Sequence, residues 1–259
     1  MSEEQSPATV VFIDADNTLW DTDGVYADAQ LALLKELEDR LGANVSDSDR
    51  LAFIRGIDQG LAERHHEGLR YPPRFLIKAL ALALTGSDKA NAIRLAWAGG
   101  IESNRLSSES VQQAESRMVE NLRRTPTLRP GVLSGLSELA TEGFPLLVLT
   151  EGRQDRVRDI VRTHDLERYI PRVMEVRKDQ RLYERLLKVL HPRNVGFMIG
   201  DQLDRDIRPA KAAGLNTIYF PSNFRPKWDI DEKGVLPDRQ IATFADVPGI
   251  INAELKQVD

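Results

Sequence analysis

The chain has 259 residues, of which 41% are hydrophobic and 29% charged, ordinary values for a soluble globular protein. Its net charge of −5 comes from 40 acidic and 35 basic residues without a long basic block, which argues against a dedicated nucleic-acid or anionic-membrane surface. The absence of cysteine excludes disulfides, thiolate metal sites and cysteine nucleophiles. The N-terminus is too polar for a secretory signal, and no apolar run approaches the ~20 residues of a membrane span, so we expect a cytoplasmic protein.

Short apolar runs that end in polar residues are the clearest pattern in the chain. Runs without polar alternation are typical of parallel strands buried on both faces of a sheet. They predict strands at residues 10–13 (VVFI), 146–149 (LLVL), 172–176, 195–199 (VGFMI) and 216–220 (NTIYF). Segments with helical periodicity separate these runs from about residue 126 onward, as at Val132, Leu136 and Leu139. The predicted fold class is therefore α/β, a doubly wound parallel sheet.

The long segment between the first two predicted strands has helical patterns and no convincing strand. A helix is predicted at residues 27–41, where leucines 31, 34, 37 and 41 form one apolar stripe, and Gly42 ends it. Three further helices are indicated by a capping-box pattern at residues 46–49, by Pro72-Pro73 ahead of a helix that ends before Gly86, and by the apolar spacing of Val111, Ala114, Met118 and Leu122. We therefore predict an α/β core domain of residues 1–22 and 126–259, with a helical domain of residues 23–125 inserted into it.

Acidic and hydroxyl residues follow the predicted strands at the point where each strand ends. Ligands of open α/β sheets bind outside the carboxyl ends of the strands. Asp14 and Asp16 follow the first strand and, two residues apart in an extended segment, can point to the same side. The later strand ends carry Thr150-Glu151-Gly152, Arg177-Lys178, and Asp201 with Asp206.

Four converging carboxylates at this edge of the sheet, those of Asp14, Asp16, Asp201 and Asp206, would repel one another strongly. Their convergence therefore implies a bound cation. Ligands that are all oxygen atoms favour Mg²⁺, which keeps some of its waters and typically shares the phosphate of a substrate. An EF-hand-like calcium loop that starts at Asp14 is excluded, because Leu19 stands at its glycine position and Val25 at its bidentate glutamate position.

Four motifs at these strand ends resemble those of the haloacid dehalogenase (HAD) superfamily. DADNTLW, residues 14–20, is similar to the first motif, DxDxT, and LLVLT, residues 146–150, to the second, an apolar strand that ends in Thr or Ser. Lys178 stands where the third motif has a lysine, and GDQLDRD, residues 200–206, resembles the fourth, GDxxxxD. The motifs occur in the family's order, and the helical insertion resembles the family's small cap domain. The resemblance implies a Rossmann-like core with an α-helical cap.

The resemblance also implies an activity, that of a Mg²⁺-dependent phosphatase acting on a small phosphorylated metabolite. Asp14 would attack phosphorus and form an aspartyl phosphate, while Asp16 would protonate the leaving alcohol and then activate water. The metal would be held by Asp14, the main-chain carbonyl of Asp16, Asp201 and, in the inner or outer shell, Asp206. The substrate-binding residues would be Thr150, Glu151, Gly152 and Lys178. We expect a monomer or homodimer without nucleic-acid or membrane partners.

Several alternatives remain open at the level of single residues. Arg177 would replace Lys178 as the phosphate partner if the third strand ended one residue earlier. Glu151 departs from the family, in which a polar neutral residue is common, and adds an acidic group near the phosphate site. Asp206 could be the N-cap of a helix at residues 207–213, and Trp20 could line a cleft or simply pack in the core.

Alternative functions also remain open. A phosphomutase of the same superfamily uses the same pair of aspartates but shields its aspartyl phosphate from water. A non-catalytic binding module could keep the fold, although the intact set of Asp14, Asp16, Lys178 and Asp201 argues against it. Haloacid dehalogenation is disfavoured, since dehalogenases do not need the aspartate at position 16.

Overall fold

The computed structural model describes residues 9–46, 48–64, 71–98, 106–190, 192, 196–225 and 234–256, and the chain divides into two compact units. The α/β unit comprises the described residues of Met1–Asp23, Thr125–Arg225 and Asp229–Asp259, and the helical unit those of Gly24–Arg124. The chain leaves the α/β unit after Asp23 and returns at Thr125, so each crossing falls one residue from a predicted domain boundary.

A parallel sheet of six strands forms the centre of the α/β unit, in the order β3-β2-β1-β4-β5-β6. Its strands are β1 (Val11–Asp14), β2 (Leu146–Thr150), β3 (Arg172–Glu175), β4 (Phe197–Gly200), β5 (Asn216–Tyr219) and β6 (Arg239–Gln240). The first five were predicted. The predicted fold class is confirmed. In the register of the central strands, Asp14 lies opposite Leu149, so the ends of β1 and β2 meet at one edge.

Helices cover both faces of this sheet. Successive side chains of β1 point to opposite faces, so neighbouring residues of this strand pack in two different cores. Val11 and Ile13 pack in a core with α6 (Val132–Thr141), α7 (Gln154–Thr163) and α10 (Val247–Leu255). Phe12 packs on the other face, with α8 (Gln180–Leu190) and α9 (Arg208–Ala212). A π-helical turn, Leu203–Ile207, leads from β4 into α9.

The helical unit contains α1 (Thr22–Leu41, whose first two residues belong to the α/β unit), α2 (Arg50–Ala62), α3 (Pro73–Leu84), α4 (Lys89–Ala98) and α5 (Ser108–Leu122). Its core includes the predicted leucines 34 and 37, packed with residues of α2 and α3. Gly42 and Gly86, with φ of +61° and +107°, follow α1 and α3 in the left-handed conformation that glycine accepts without strain. The structure shows no strand in the described part of this unit.

Two features of the helical unit differ from the sequence prediction. α1 begins at Thr22 rather than near residue 27, and α4 was not predicted. The N-cap of α2 is Asp49, whose carboxylate accepts a hydrogen bond from the amide of Ala52 at 2.8 Å. The helix therefore begins just after residues 46–49, whereas a capping box there would have placed Asp49 inside its first turn. Of the helices in the described segments, none has both the length and the apolar composition of a membrane span.

Candidate active site

Asp14 is the last residue of β1 and lies among charged partners at the carboxyl edge of the sheet, only 7% exposed. One carboxylate oxygen accepts a hydrogen bond from the hydroxyl of Thr18 at 3.0 Å, and the other contacts the ammonium of Lys178. Burial raises the pKa of Asp14 to about 7; the charge of Lys178 opposes this rise, and the carboxylates of Asp206 and Asp16 add to it. A buried acid with a cationic partner is typical of a reactive group.

Asp16, only two residues later, has neutral partners instead. The chain turns sharply after Asp14, with Asn17 in the left-handed conformation at φ 60°. One carboxylate oxygen of Asp16 accepts hydrogen bonds from the indole of Trp20 at 3.1 Å and from the hydroxyl of Thr22 at 2.6 Å. Trp20 is itself fully buried in the core, so this side chain both packs and orients Asp16.

Lys178 reaches the centre of the site from the segment that follows β3. Its ammonium donates to Asp14 and, at 2.7 Å, to Asp206, and the side chain is buried. Burial alone lowers the pKa of Lys178, but the charges of Asp14 and Asp206 outweigh it and raise the pKa above its ordinary value, so the group stays protonated. Arg177 is exposed. The geometry therefore favours Lys178 over Arg177 as the cation near Asp14.

Asp206 lies in the π-helical turn after β4, where its carboxylate accepts a hydrogen bond from the amide of Gln202 at 3.0 Å. This donor lies before Asp206 in the chain, so the alternative of an N-cap for the following helix is wrong; that helix has Ile207 at its N-cap. Gly200 makes the arrangement possible. A Cβ at position 200 would lie 2.3 Å from the carboxyl carbon of Asp206, too close for any other residue without a shift.

Asp201 completes an acidic group with Asp14 and Asp206, in which one carboxylate oxygen of each lies within 4.8 Å of the others. Asp201 is buried, and its Oδ1 has no hydrogen-bond partner among the described residues. Burial raises its pKa well above the ordinary value, and the neighbouring Asp14 and Asp206 raise it further. An all-oxygen group with an unsatisfied, buried carboxylate oxygen fits a hard divalent cation such as Mg²⁺.

Three of the four predicted carboxylates, those of Asp14, Asp201 and Asp206, lie in this acidic group. The carboxylate of Asp16 is not part of the acidic group, because Trp20 and Thr22 hold it. The main-chain carbonyl of Asp16, which the family resemblance assigns to the metal, stays a prediction, as do the three carboxylate ligands.

Thr150 and the two residues after it form the second side of the site. Thr150 ends β2, is buried, and accepts a hydrogen bond from the amide of Gly152 at 2.9 Å. A Cβ at Gly152 would lie 3.2 Å from both Asp16 Oδ2 and the Thr150 hydroxyl, so the backbone of Gly152 passes close to Asp16. Glu151 accepts hydrogen bonds from the amide of Lys178 and from Arg205.

The model of the haloacid dehalogenase-like hydrolase family matches residues 8–214, which include every residue of this site. The chain belongs to this family. No curated protein sequence matches this HAD-like hydrolase. Among solved structures, it resembles a haloacid dehalogenase-like family hydrolase from Xanthomonas campestris, with 20% identity, a TM-score of 0.63, and coverage of 97% of this chain and 98% of that one.

Two further solved structures have the same fold as this HAD-like hydrolase. The protein YfnB from Bacillus subtilis, in a structure with bound magnesium, is 19% identical, with a TM-score of 0.62 and coverage of 95% of this chain and 99% of that one. A predicted phosphoglycolate phosphatase from Haemophilus somnus is 16% identical, with a TM-score of 0.57 and coverage of 96% and 99%. At these identities the likeness shows the fold alone.

Some residues of the HAD-like site had no assigned role in the sequence analysis. Thr18 belongs to the first motif, so its position gave a signal for the hydrogen bond to Asp14. Arg129 gave none. Its guanidinium donates to the carbonyls of Asn17, Phe220 (3.0 Å) and Pro221 (2.7 Å), and therefore ties the loop after β1 to the end of β5.

Proposed function

We propose that this HAD-like hydrolase is a Mg²⁺-dependent phosphatase that cleaves a small phosphate monoester through an aspartyl phosphate on Asp14. The observation that carries the proposal is the environment of Asp14: a buried carboxylate at a strand end, in contact with the protonated Lys178 and grouped with Asp201 and Asp206. A nucleophile that must approach a phosphate dianion needs positive charge beside it, which Lys178 and a cation held by the three carboxylates would supply. The predicted phosphoglycolate phosphatase that shares this fold is itself named for a substrate of the proposed class, a small phosphate monoester.

In the first step, a carboxylate oxygen of Asp14 attacks phosphorus, and the bond from phosphorus to the ester oxygen breaks. Asp16 gives its proton to the leaving oxygen, so the products are an alcohol and the aspartyl phosphate. The hydrogen bonds from Trp20 and Thr22 hold Asp16 in one orientation for this transfer. Lys178 and the hydroxyl of Thr150 bind the phosphoryl oxygens.

In the second step, Asp16 takes a proton from a water molecule, whose oxygen attacks phosphorus. The bond to Asp14 then breaks, which releases inorganic phosphate and restores both aspartates to their starting states. Asp14, Asp201 and Asp206 would hold Mg²⁺, with the main-chain carbonyl of Asp16 as a further ligand. When bound, Mg²⁺ supplies positive charge that offsets the repulsion between these carboxylates and the phosphoryl oxygens.

The test is phosphate release from p-nitrophenyl phosphate by the purified protein, with Mg²⁺ and with EDTA. We expect turnover with Mg²⁺, little in EDTA, and inhibition by Ca²⁺, whose looser coordination disturbs in-line geometry. Asp14→Asn should abolish activity, whereas the matched control Asp39→Asn, at an exposed position of α1, should not change it. Equal rates in Mg²⁺ and EDTA, or full activity of Asp14→Asn, would refute the proposal. With a sugar phosphate as the substrate, transfer of the phosphoryl group to a second hydroxyl of the sugar, without release of free phosphate, would indicate the phosphomutase instead.

A further inference from the structure

Glu151 connects three of the segments that build the site. It follows Thr150 at the end of β2, and its Oε1 accepts a hydrogen bond from the backbone amide of Lys178 at 3.0 Å. Its Oε2 accepts a hydrogen bond from the guanidinium of Arg205, in the π-helical turn, at 2.5 Å. Both carboxylate oxygens of Glu151 therefore have partners within the protein.

The segment that carries Lys178 is held by the same turn at two more points. The ammonium of Lys178 donates to Asp206, the residue after Arg205, at 2.7 Å. The hydroxyl of Tyr183, a buried residue of α8, lies 3.5 Å from the carbonyl oxygen of Arg205. The position of Lys178 thus depends on how this turn and the end of β2 are fixed relative to each other, and the pair of Glu151 and Arg205 joins them directly.

Charge gives a second reason to consider Glu151 and Arg205 together. A carboxylate one residue from Thr150 would repel a phosphoryl dianion if it stood alone, since like charges in one site disfavour each other. The guanidinium of Arg205 compensates that charge. The sequence interpretation counted Glu151 among the substrate-binding residues. However, the carboxylate oxygens of Glu151 and the oxygens of a phosphate dianion are all hydrogen-bond acceptors, so Glu151 cannot form a hydrogen bond with the phosphate.

We propose that Glu151 and Arg205 form a positioning pair, which fixes the backbone of Lys178 for phosphoryl binding and keeps the charge of Glu151 from repelling the substrate. Glu151 then does not bind the substrate. The proposal rests on the phosphatase function for its kinetic consequences, but the contact between Glu151 and the amide of Lys178 can be tested without any activity.

The kinetic experiment compares Glu151→Gln, Arg205→Gln and the double variant with p-nitrophenyl phosphate and Mg²⁺. Arg205→Gln leaves an uncompensated carboxylate beside the phosphate, so we expect KM to rise about tenfold or more, with a smaller change in kcat. Glu151→Gln keeps an oxygen acceptor for the Lys178 amide and removes the charge, so its effect should be about threefold or less. The double variant should therefore recover most of the loss caused by Arg205→Gln. Losses that add, as they do for two sites that do not interact, with no recovery in the double variant, would overturn the proposal.

The second experiment measures hydrogen exchange of the Lys178 amide by NMR in the full chain. Exchange should be slow in the wild type and in Glu151→Gln, and at least about tenfold faster in Glu151→Ala, which has no acceptor. The matched control is Asp155→Asn, four residues after Glu151, which alters an exposed ion pair with Arg153. It should leave the exchange of the Lys178 amide unchanged. Unchanged exchange in Glu151→Ala would overturn the positioning role. A wild type that releases no phosphate but shows this exchange pattern would refute the phosphatase function alone.

Discussion

Glu38 in the helical unit and Asp201 in the α/β unit are both buried carboxylates, 3% and 5% exposed, but their surroundings differ. Glu38 accepts hydrogen bonds from the amide of Val45 at 2.9 Å and from two nitrogens of Arg50. The Oδ1 of Asp201 has no hydrogen-bond partner within the described residues, and two more carboxylates lie beside it.

The two environments shift the pKa in opposite directions. The hydrogen bond from Arg50 lowers the pKa of Glu38, against the effect of burial, whereas burial and the charges of Asp14 and Asp206 raise the pKa of Asp201. Glu38 therefore stabilises its unit, while Asp201 destabilises the metal-free protein. A buried acid that the fold itself leaves unsatisfied is a candidate for a ligand, and one that the fold satisfies is a structural element.

The largest effect that this comparison predicts is that of Asp201→Asn on activity. Removing one carboxylate of the acidic group should lower Mg²⁺-dependent turnover of p-nitrophenyl phosphate by about a hundredfold or more. The thermal unfolding midpoint of the metal-free protein should rise, because a charge next to two like charges is removed. Calorimetry in EDTA measures the midpoint. A fall in the midpoint would show that Asp201 is a structural acid like Glu38.

Glu38→Gln should have the opposite signature, a loss of stability. The amide keeps the size of the side chain but has no charge, so the charge-assisted hydrogen bonds from Arg50 are lost or weakened. This loss should lower the free energy of unfolding by about 1–3 kcal/mol. Urea denaturation of the wild type and the variant gives the difference. No measurable loss would mean that the contacts of Glu38 contribute little, and the contrast with Asp201 would fail.

The stability that Glu38 contributes should also depend on pH. Because its pKa is lower in the folded protein than the ~4.3 of an unfolded glutamate, the contribution is fully present above that value. It is lost as the pH falls through the folded-state pKa. The difference in unfolding free energy between wild type and Glu38→Gln should therefore be constant near neutral pH and shrink below about pH 4. A difference that grows on acidification would contradict the assignment.

The smallest expected effect concerns an exposed ion pair on the same helix as Glu38. Lys35 and Asp39 lie 2.5 Å apart, four residues from each other, and both side chains are more than half exposed. Lys35→Met should change the free energy of unfolding by less than about 0.5 kcal/mol. Urea denaturation checks this value, and a loss as large as that of Glu38→Gln would show that burial is not what separates the two pairs.

β1, β2, β4 and β5 could be predicted closely because strands buried on both faces read as continuous apolar runs. β6 was not predicted, since it consists of two exposed polar residues that pair with β5. α4 was not predicted either; its sequence, KANAIRLAWA, has no long apolar stripe, and its position comes from packing against α2 and α3. The spacing of apolar residues in the sequence therefore could not predict β6 or α4.

Part of the candidate site could also be predicted, from the strands that its residues follow. Asp14, Asp201 and Asp206 follow strands that lie side by side, so topology alone brings them near one another. The partners of Asp16 were not predictable, because the turn after β1 decides which way its side chain points. The pairing of Glu151 with Arg205, which are far apart in the sequence, likewise depends on side-chain directions that only the folded loops define.

The central claim, a phosphoenzyme on Asp14 whose hydrolysis needs Asp16, can be tested directly with Asp16→Asn. An aryl phosphate has a leaving group that departs without a proton, so the first step should survive better than with an alkyl phosphate, for which we expect a loss of about 10²- to 10⁴-fold. The second step lacks its base, and the phosphoenzyme should accumulate. Mass spectrometry of the quenched variant should show one added phosphate that maps to Asp14. A phosphate that maps to another residue, or normal turnover by Asp14→Asn, would contradict the mechanism.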